Sequence, residues 1–156
     1  MRNNQPVTQK EFPVRDDCAI VSHTDDKGRI IYANEDFVEY SGFTREELLG
    51  QPHNIIRHPD MPEEAFRDLW ATVKAGRPWT GIVKNRRKNG DHYWVKATVT
   101  PHPGGGYRSV RVKPTVEEVR QAEALYAKMR QGEKYRLSGG RVIAPGAAGG
   151  LRWLAR

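Results

Sequence analysis

Trp79-Thr-Gly-Ile-Val-Lys-Asn-Arg-Arg-Lys-Asn-Gly-Asp-His-Tyr-Trp-Val-Lys-Ala-Thr-Val-Thr100 is the stretch whose reading decides the fold. Apolar residues alternate on both sides of the turn pair Asn89-Gly90, which predicts two strands, 79–87 and 92–100, joined as a hairpin. Loop length decides which side chains share a face. A two-residue turn sets Tyr93, Val95, Ala97 and Val99 beside Lys84 and Arg86; a three-residue loop, Asn89-Gly90-Asp91, sets them beside Trp79, Val83 and Asn85. The second choice gives a buried face that is apolar except for one amide, and it is the one adopted.

Working outward, a further strand is expected at 107–112, with Val110 and Val112 on one side and Tyr107, Ser109 and Arg111 on the other. Before the hairpin, two short β-rich runs, 19–24 and 29–33, flank the turn Asp25-Asp26-Lys27-Gly28. Helical patterns follow: a short one after Asn34 that stops at Gly42, another behind the capping box Thr44-Arg45-Glu46-Glu47, and a longer one opened by Pro62. In the longer one Phe66, Leu69, Trp70 and Val73 fall at i, i+3, i+4 and i+7. Thr115-Val116-Glu117-Glu118 caps a last helix whose stripe is Val119, Ala122, Tyr126 and Met129. The expected fold class is α+β: a five-stranded antiparallel sheet with short helices on one face, plus a C-terminal helix. The division expected is an N-terminal cap at 1–17, a core domain at 18–114, a signalling helix at 115–132, and a linker or tail at 133–156.

The chain has 156 residues, 37% of them hydrophobic and 29% charged, with four Trp, six Tyr and four Phe. Its mean hydropathy is −0.76. So many aromatic anchors exclude a disordered chain, and no apolar run approaches the roughly 18 residues of a membrane helix. One cysteine, Cys18, excludes an internal disulfide. These features predict a cytoplasmic protein with no membrane segment. The net charge of +7 divides into +3 over residues 1–114 and +4 over the shorter remainder. The dense run Lys84-Asn85-Arg86-Arg87-Lys88 meets the turn at Asn89-Gly90, so a solvated hairpin tip is expected and nucleic-acid binding is not.

The chemically densest segment is Gln51-Pro-His-Asn-Ile-Ile-Arg-His-Pro-Asp-Met-Pro62. Arg57 offers a fixed fork of donors, His58 a titratable ring and Asp60 an anion. Together they can grip a polar or phosphorylated ligand, or merely tie the loop down through an Arg57–Asp60 pair. The histidines lack metal-ligand spacing, and no glycine elbow or phosphate-cradling loop is present, so no metal site and no enzyme activity are expected. On the hairpin face, Asn85 is expected to be a buried amide needing partners at both ends, which a flavin edge or a water could supply. Trp79 beside it could stack on a flat ring or fill core.

The loop 51–62, the run 79–94, Asn34, Ser41-Gly42-Phe43-Thr44 and Glu47-Leu48 closely resemble the PAS sensor domain of bacterial aerotaxis receptors, over residues 7 to about 135. The tail ending Leu151-Arg-Trp-Leu-Ala-Arg156 is similar to the segment preceding the membrane span in such receptors. The resemblance implies non-covalent FAD binding and redox sensing, with cofactor-binding positions at Asn34, Arg57, His58 and Asp60 and Trp79 at the ring. Asn85 matches an asparagine that bonds the flavin edge in related light-oxygen-voltage domains. A second such asparagine falls on Val95, and Pro52-His53-Asn54 lacks their photoactive thiol, so no blue-light adduct is expected. The partners implied are a second copy in a homodimer and the HAMP or signalling domain of a chemoreceptor, in the same chain or in trans. The alternatives are a haem-binding PAS gas sensor, with His58 as ligand, and a ligand-free PAS interaction module.

Overall fold

The computed structural model describes residues 4–145. Five antiparallel strands form one sheet in the order β2-β1-β5-β4-β3: β1 (Ile20–Thr24), β2 (Ile30–Ala33), β3 (Trp79–Arg86), β4 (His92–Pro101) and β5 (Tyr107–Val112). The α+β class and the five-stranded sheet are as the sequence predicts. Between β2 and β3 come α1 (Glu35–Ser41), α2 (Arg45–Leu48), a 3-10 turn (His53–Ile56) and α3 (Glu63–Lys74). They bury Phe37, Tyr40, Leu48, Ile56, Ala65 and Val73 toward the inner face of the sheet. Gly42, at φ 75, supplies the left-handed residue that ends α1 where the chain must turn at once into α2.

In the hairpin Trp79 pairs with Val99, Val83 with Val95 and Asn85 with Tyr93. The inner face is therefore the one expected, but the loop is not. Arg87 N–H donates to Asp91 O (2.7 Å), so the three loop residues are Lys88-Asn89-Gly90. Moving the three-residue loop back by one residue shifts the pairing register by two, so Val83 meets Val95 rather than Ala97 and every side chain keeps its face.

The helix α4 (Val116–Arg130) crosses to the outer face of the sheet, its Thr115 capping box formed as expected. Ala122 and Tyr126 are buried there, and Tyr126 Oη–H donates to the carbonyl of Ile82 (2.6 Å). Its start is held by a Lys96–Glu118 ion pair (2.9 Å) and its end by Arg130 donating to Asp60 O (2.9 Å).

Residues 133–156 are not all linker. β6 (Tyr135–Ser138) and β7 (Arg141–Pro145) form a second hairpin docked on α3. The segment has no apolar period of its own because its order comes from tertiary bonds: Glu64 Oε2 accepts from Leu137 N–H (2.9 Å) and Arg67 donates to Leu137 O (2.8 Å). The rest of the expected tail, 146–156, lies outside the described residues.

Candidate functional site

A cavity of about 360 Å³ lies between the inner sheet face and the 3-10 turn and α3. Its walls are largely apolar and aromatic, with Phe66, Trp70, Trp79, Val83 and Tyr107 prominent. Three cations line it, Lys27, Arg57 and Arg111, and no carboxylate does. The volume falls in the range of small-molecule sites, and the wall composition is typical of them.

Arg111 is the deepest charge. It is 2% exposed, donates to Ser22 Oγ (2.8 Å) and His53 Nε2 (3.0 Å), and lies 4.6 Å over the Phe37 ring. Burial lowers its pKa to about 10, so it remains charged near neutral pH. Burial first, and then Arg111 itself, hold the His53 pKa down to about 3, so that ring is neutral. Guanidinium can only donate, so His53 Nε2 accepts from Arg111, and the Ser22 hydroxyl accepts from Arg111 and donates to His53 Nε2 (2.9 Å). His53 Nε2 is therefore an acceptor, and the ring proton belongs on Nδ1.

Arg57 closes the other side, its guanidinium 3.6 Å over the Phe66 ring and its pKa lowered by burial. Neither Arg57 nor Arg111 makes an ion pair among the described residues. Six buried side-chain polar atoms there lack a hydrogen-bond partner, and four of them belong to cavity-lining residues: Thr24 Oγ1, Asn54 Oδ1, Arg57 Nε and Arg111 Nε. Such a mixed set of donors and acceptors, beside two uncompensated cations, fits a flat, carbonyl-rich or anionic ligand.

The expected site residues divide between this cavity and other places. Arg57, Trp79 and Asn85 line it. Trp79 is 2% exposed and its indole lies across Gly81, where a Cβ would overlap the ring. His58 and Asp60 are not in the lining, and the Arg57–Asp60 pair does not form. Arg57 is extended and its backbone bridges Asn85, so successive side chains point to opposite sides. His58 thus faces His92 edge-on (6.1 Å), its Nδ1 accepting from Asp60 N–H (3.0 Å), and Asp60 pairs with Lys84 (2.9 Å). Burial first, then Lys84, lowers the His58 pKa to about 4. Asn34 is also outside the cavity. Its Oδ1 accepts from Phe37 N–H and Val21 N–H (both 3.0 Å), and its Nδ2 donates to Ala19 O (2.8 Å). It caps α1 and fastens that helix to β1.

The family model described as PAS fold matches residues 30–116. The chain belongs to the PAS family. The aerotaxis receptor of Escherichia coli (strain K12) is 48% identical over 166 residues, covering all of this chain and 33% of the receptor. The nitrogen fixation regulatory protein of Klebsiella oxytoca is 33% identical over 81 residues, 52% of this chain and 16% of that protein. The chain therefore spans about a third of the receptor's length, and less of the regulator's. Among solved structures, a PAS domain from Colwellia psychrerythraea has a TM-score of 0.57 at 24% identity, over 62% of this chain and 86% of that one. A light-oxygen-voltage domain, solved in work with a flavin analogue, has a TM-score of 0.55 at 20% identity, over 74% and 87%. Both likenesses are of fold.

Sequence reasoning missed Arg111, His53 and Ser22 in this PAS domain. Arg111 carried a signal: strand parity sets it on the same side as Tyr107 and Ser109, so a charge was pointing into the sheet's concave face. The Ser22–His53 contact spans 31 residues and leaves no local pattern.

Proposed function

We propose that this PAS domain binds FAD non-covalently in the cavity and reports its redox state to a chemotaxis-type output. The observation that carries the reading is the cavity wall, which is shared by a buried guanidinium (Arg111), a half-buried one (Arg57) and a buried amide (Asn85), with no carboxylate among the lining residues. The 48% identity to an aerotaxis receptor supports the same reading. A volume of about 360 Å³ suits the three-ring head of a flavin and leaves the rest of the dinucleotide to the mouth, where Lys27 is available to a pyrophosphate.

When bound, the flavin supplies a redox couple whose ring atoms change between hydrogen-bond acceptor and donor. Arg111 and Arg57 would hold its carbonyl-rich part with charge-assisted bonds, each worth about 1.5–3 kcal/mol. Trp79 would form one wall for the ring. Asn85, 4% exposed and paired across the hairpin with Tyr93, would answer a change of polarity by turning its amide, whose two ends differ. That movement would be felt by α4, which is bound to β3 at Ile82. His58 and Asp60 contribute indirectly, by fixing the loop from which Arg57 projects, and Asn34 by fixing α1.

A haem sensor would need a histidine nitrogen open to the cavity. His53 Nε2 is taken by Arg111 and Ser22, and His58 lies behind the wall. One absorbance spectrum of the purified chain tests the proposal: flavin bands, with FAD released on denaturation, are expected. Colourless protein that takes up no FAD on reconstitution would overturn it.

A further inference from the structure

Asp68, on α3, is 2% exposed and takes four donors on its two oxygens. Trp79 Nε1–H (2.9 Å) and Gly140 N–H (2.7 Å) share Oδ2, while the Thr72 hydroxyl (3.1 Å) and Gly139 N–H (2.9 Å) share Oδ1. A carboxylate so deeply buried is tolerated only with its lone pairs filled. The donors come from two distant places. Trp79 is a wall of the cavity; Gly139 and Gly140 are the turn of the β6–β7 hairpin.

Both glycines have positive φ, 61° and 91°, which turns their successive N–H groups toward one point. Gly140 is also pressed against β3: a Cβ there would overlap the carbonyl of Thr80, the residue between Trp79 and Gly81. The hairpin turn therefore has one seat, made by Asp68 and the start of β3. That seat is shared with the indole.

We propose that Asp68 is the positioning residue that couples the cavity to the C-terminal hairpin, so that a state of the bound ligand which shifts the Trp79 indole changes how firmly the Gly139-Gly140 turn is docked. The coupling rests on reading the cavity as a ligand site, and on two arrangements of one shared oxygen. An indole aimed at Oδ2 completes the shell that holds the turn; an indole drawn toward the ligand leaves Oδ2 one donor short. The hairpin follows α4 after four residues, so its seating and the end of α4 are close along the chain.

Hydrogen exchange on the full chain tests this, resolved at the Gly139 and Gly140 amides, with flavin occupancy read on the same samples. Trp79→Phe keeps an aromatic wall and removes Nε1–H. It should speed exchange of both amides about tenfold while β4 and β5 keep their protection. In the FAD-loaded wild type, dithionite reduction should change the same amides, and Asp68→Asn should abolish that change. Unaltered exchange in Trp79→Phe overturns the coupling whether or not flavin binds. Equal exchange in the two redox states of the loaded wild type overturns it too. Failure to take up FAD overturns the cofactor reading alone, and the Trp79→Phe comparison still decides the latch, even if Asp68→Asn does not fold.

Discussion

Replacing Arg111 by Met should make the empty domain more stable and the loaded one weaker. The guanidinium is 2% exposed, makes two hydrogen bonds and one aromatic contact, and has no carboxylate partner among the described residues. Replacing a buried ion pair or triad by apolar side chains of similar volume is often neutral, or stabilising by about 1–4 kcal/mol, and Arg111 has no partner charge that its removal would strand. The groups left behind fare well here, because Ser22 Oγ and His53 Nε2 already bond each other at 2.9 Å. A gain of about 1 kcal/mol in the apoprotein is therefore expected. Against it stands one charge-assisted bond to the ligand, about 1.5–3 kcal/mol, equivalent to roughly a 10- to 150-fold loss of affinity. Urea unfolding of flavin-free protein, with FAD titration followed by fluorescence quenching, measures both quantities. Opposite signs are the signature of a residue kept for binding at the expense of stability. If the variant loses stability by about 2 kcal/mol or more and binds FAD as tightly as the wild type, Arg111 is a structural charge and the reasoning fails.

Acidification should destabilise the fold well above the carboxylate range. His53 and His58 titrate near 3 and 4 when folded against 6.5 when unfolded, so between pH 7 and 5 only the unfolded chain gains their protons. Stability is present above about 6.5 and falls with pH, by about 3–4 kcal/mol at pH 5 for the two together, measurable as a shift in urea midpoint and reduced in His58→Gln. Gly81→Ala should displace the Trp79 indole, costing about 1–3 kcal/mol in a melt and lowering the ratio of flavin to protein absorbance. Asn34→Ala should cost about 1–2 kcal/mol through the lost cap, yet leave FAD affinity unchanged below the melting range. A weaker affinity at full folding would return Asn34 to the site.

Much of the fold was legible because its signals are local. Period-two alternation on both sides of Asn89-Gly90, two capping boxes and the stripe of α3 each needed no distant partner, and each element formed. The hairpin at 135–145 was illegible for the opposite reason. Its amides are satisfied by Glu64 and Asp68, some 70 residues upstream, and Gly139-Gly140 reads as linker composition until the carboxylate that fills the turn is known.

The site shows a subtler limit. Arg57, His58 and Asp60 look like one binding constellation because they are consecutive or nearly so, but an extended backbone sends neighbours to opposite sides of the wall. Only Arg57 keeps the cavity, while His58 and Asp60 join Lys84, His92 and Arg130 beneath α4. The other arginine of the lining, Arg111, comes from β5, which lies in the sheet between β1 and β4, and no spacing rule relates the two. What does relate them is charge. An inward arginine on a strand face needs acceptors inside the fold, and Ser22 and His53 take two of the Arg111 donors while its Nε is left to face the cavity wall. Parity of a lone charge along a strand is thus a better pointer to this cavity than the density of polar residues in a loop.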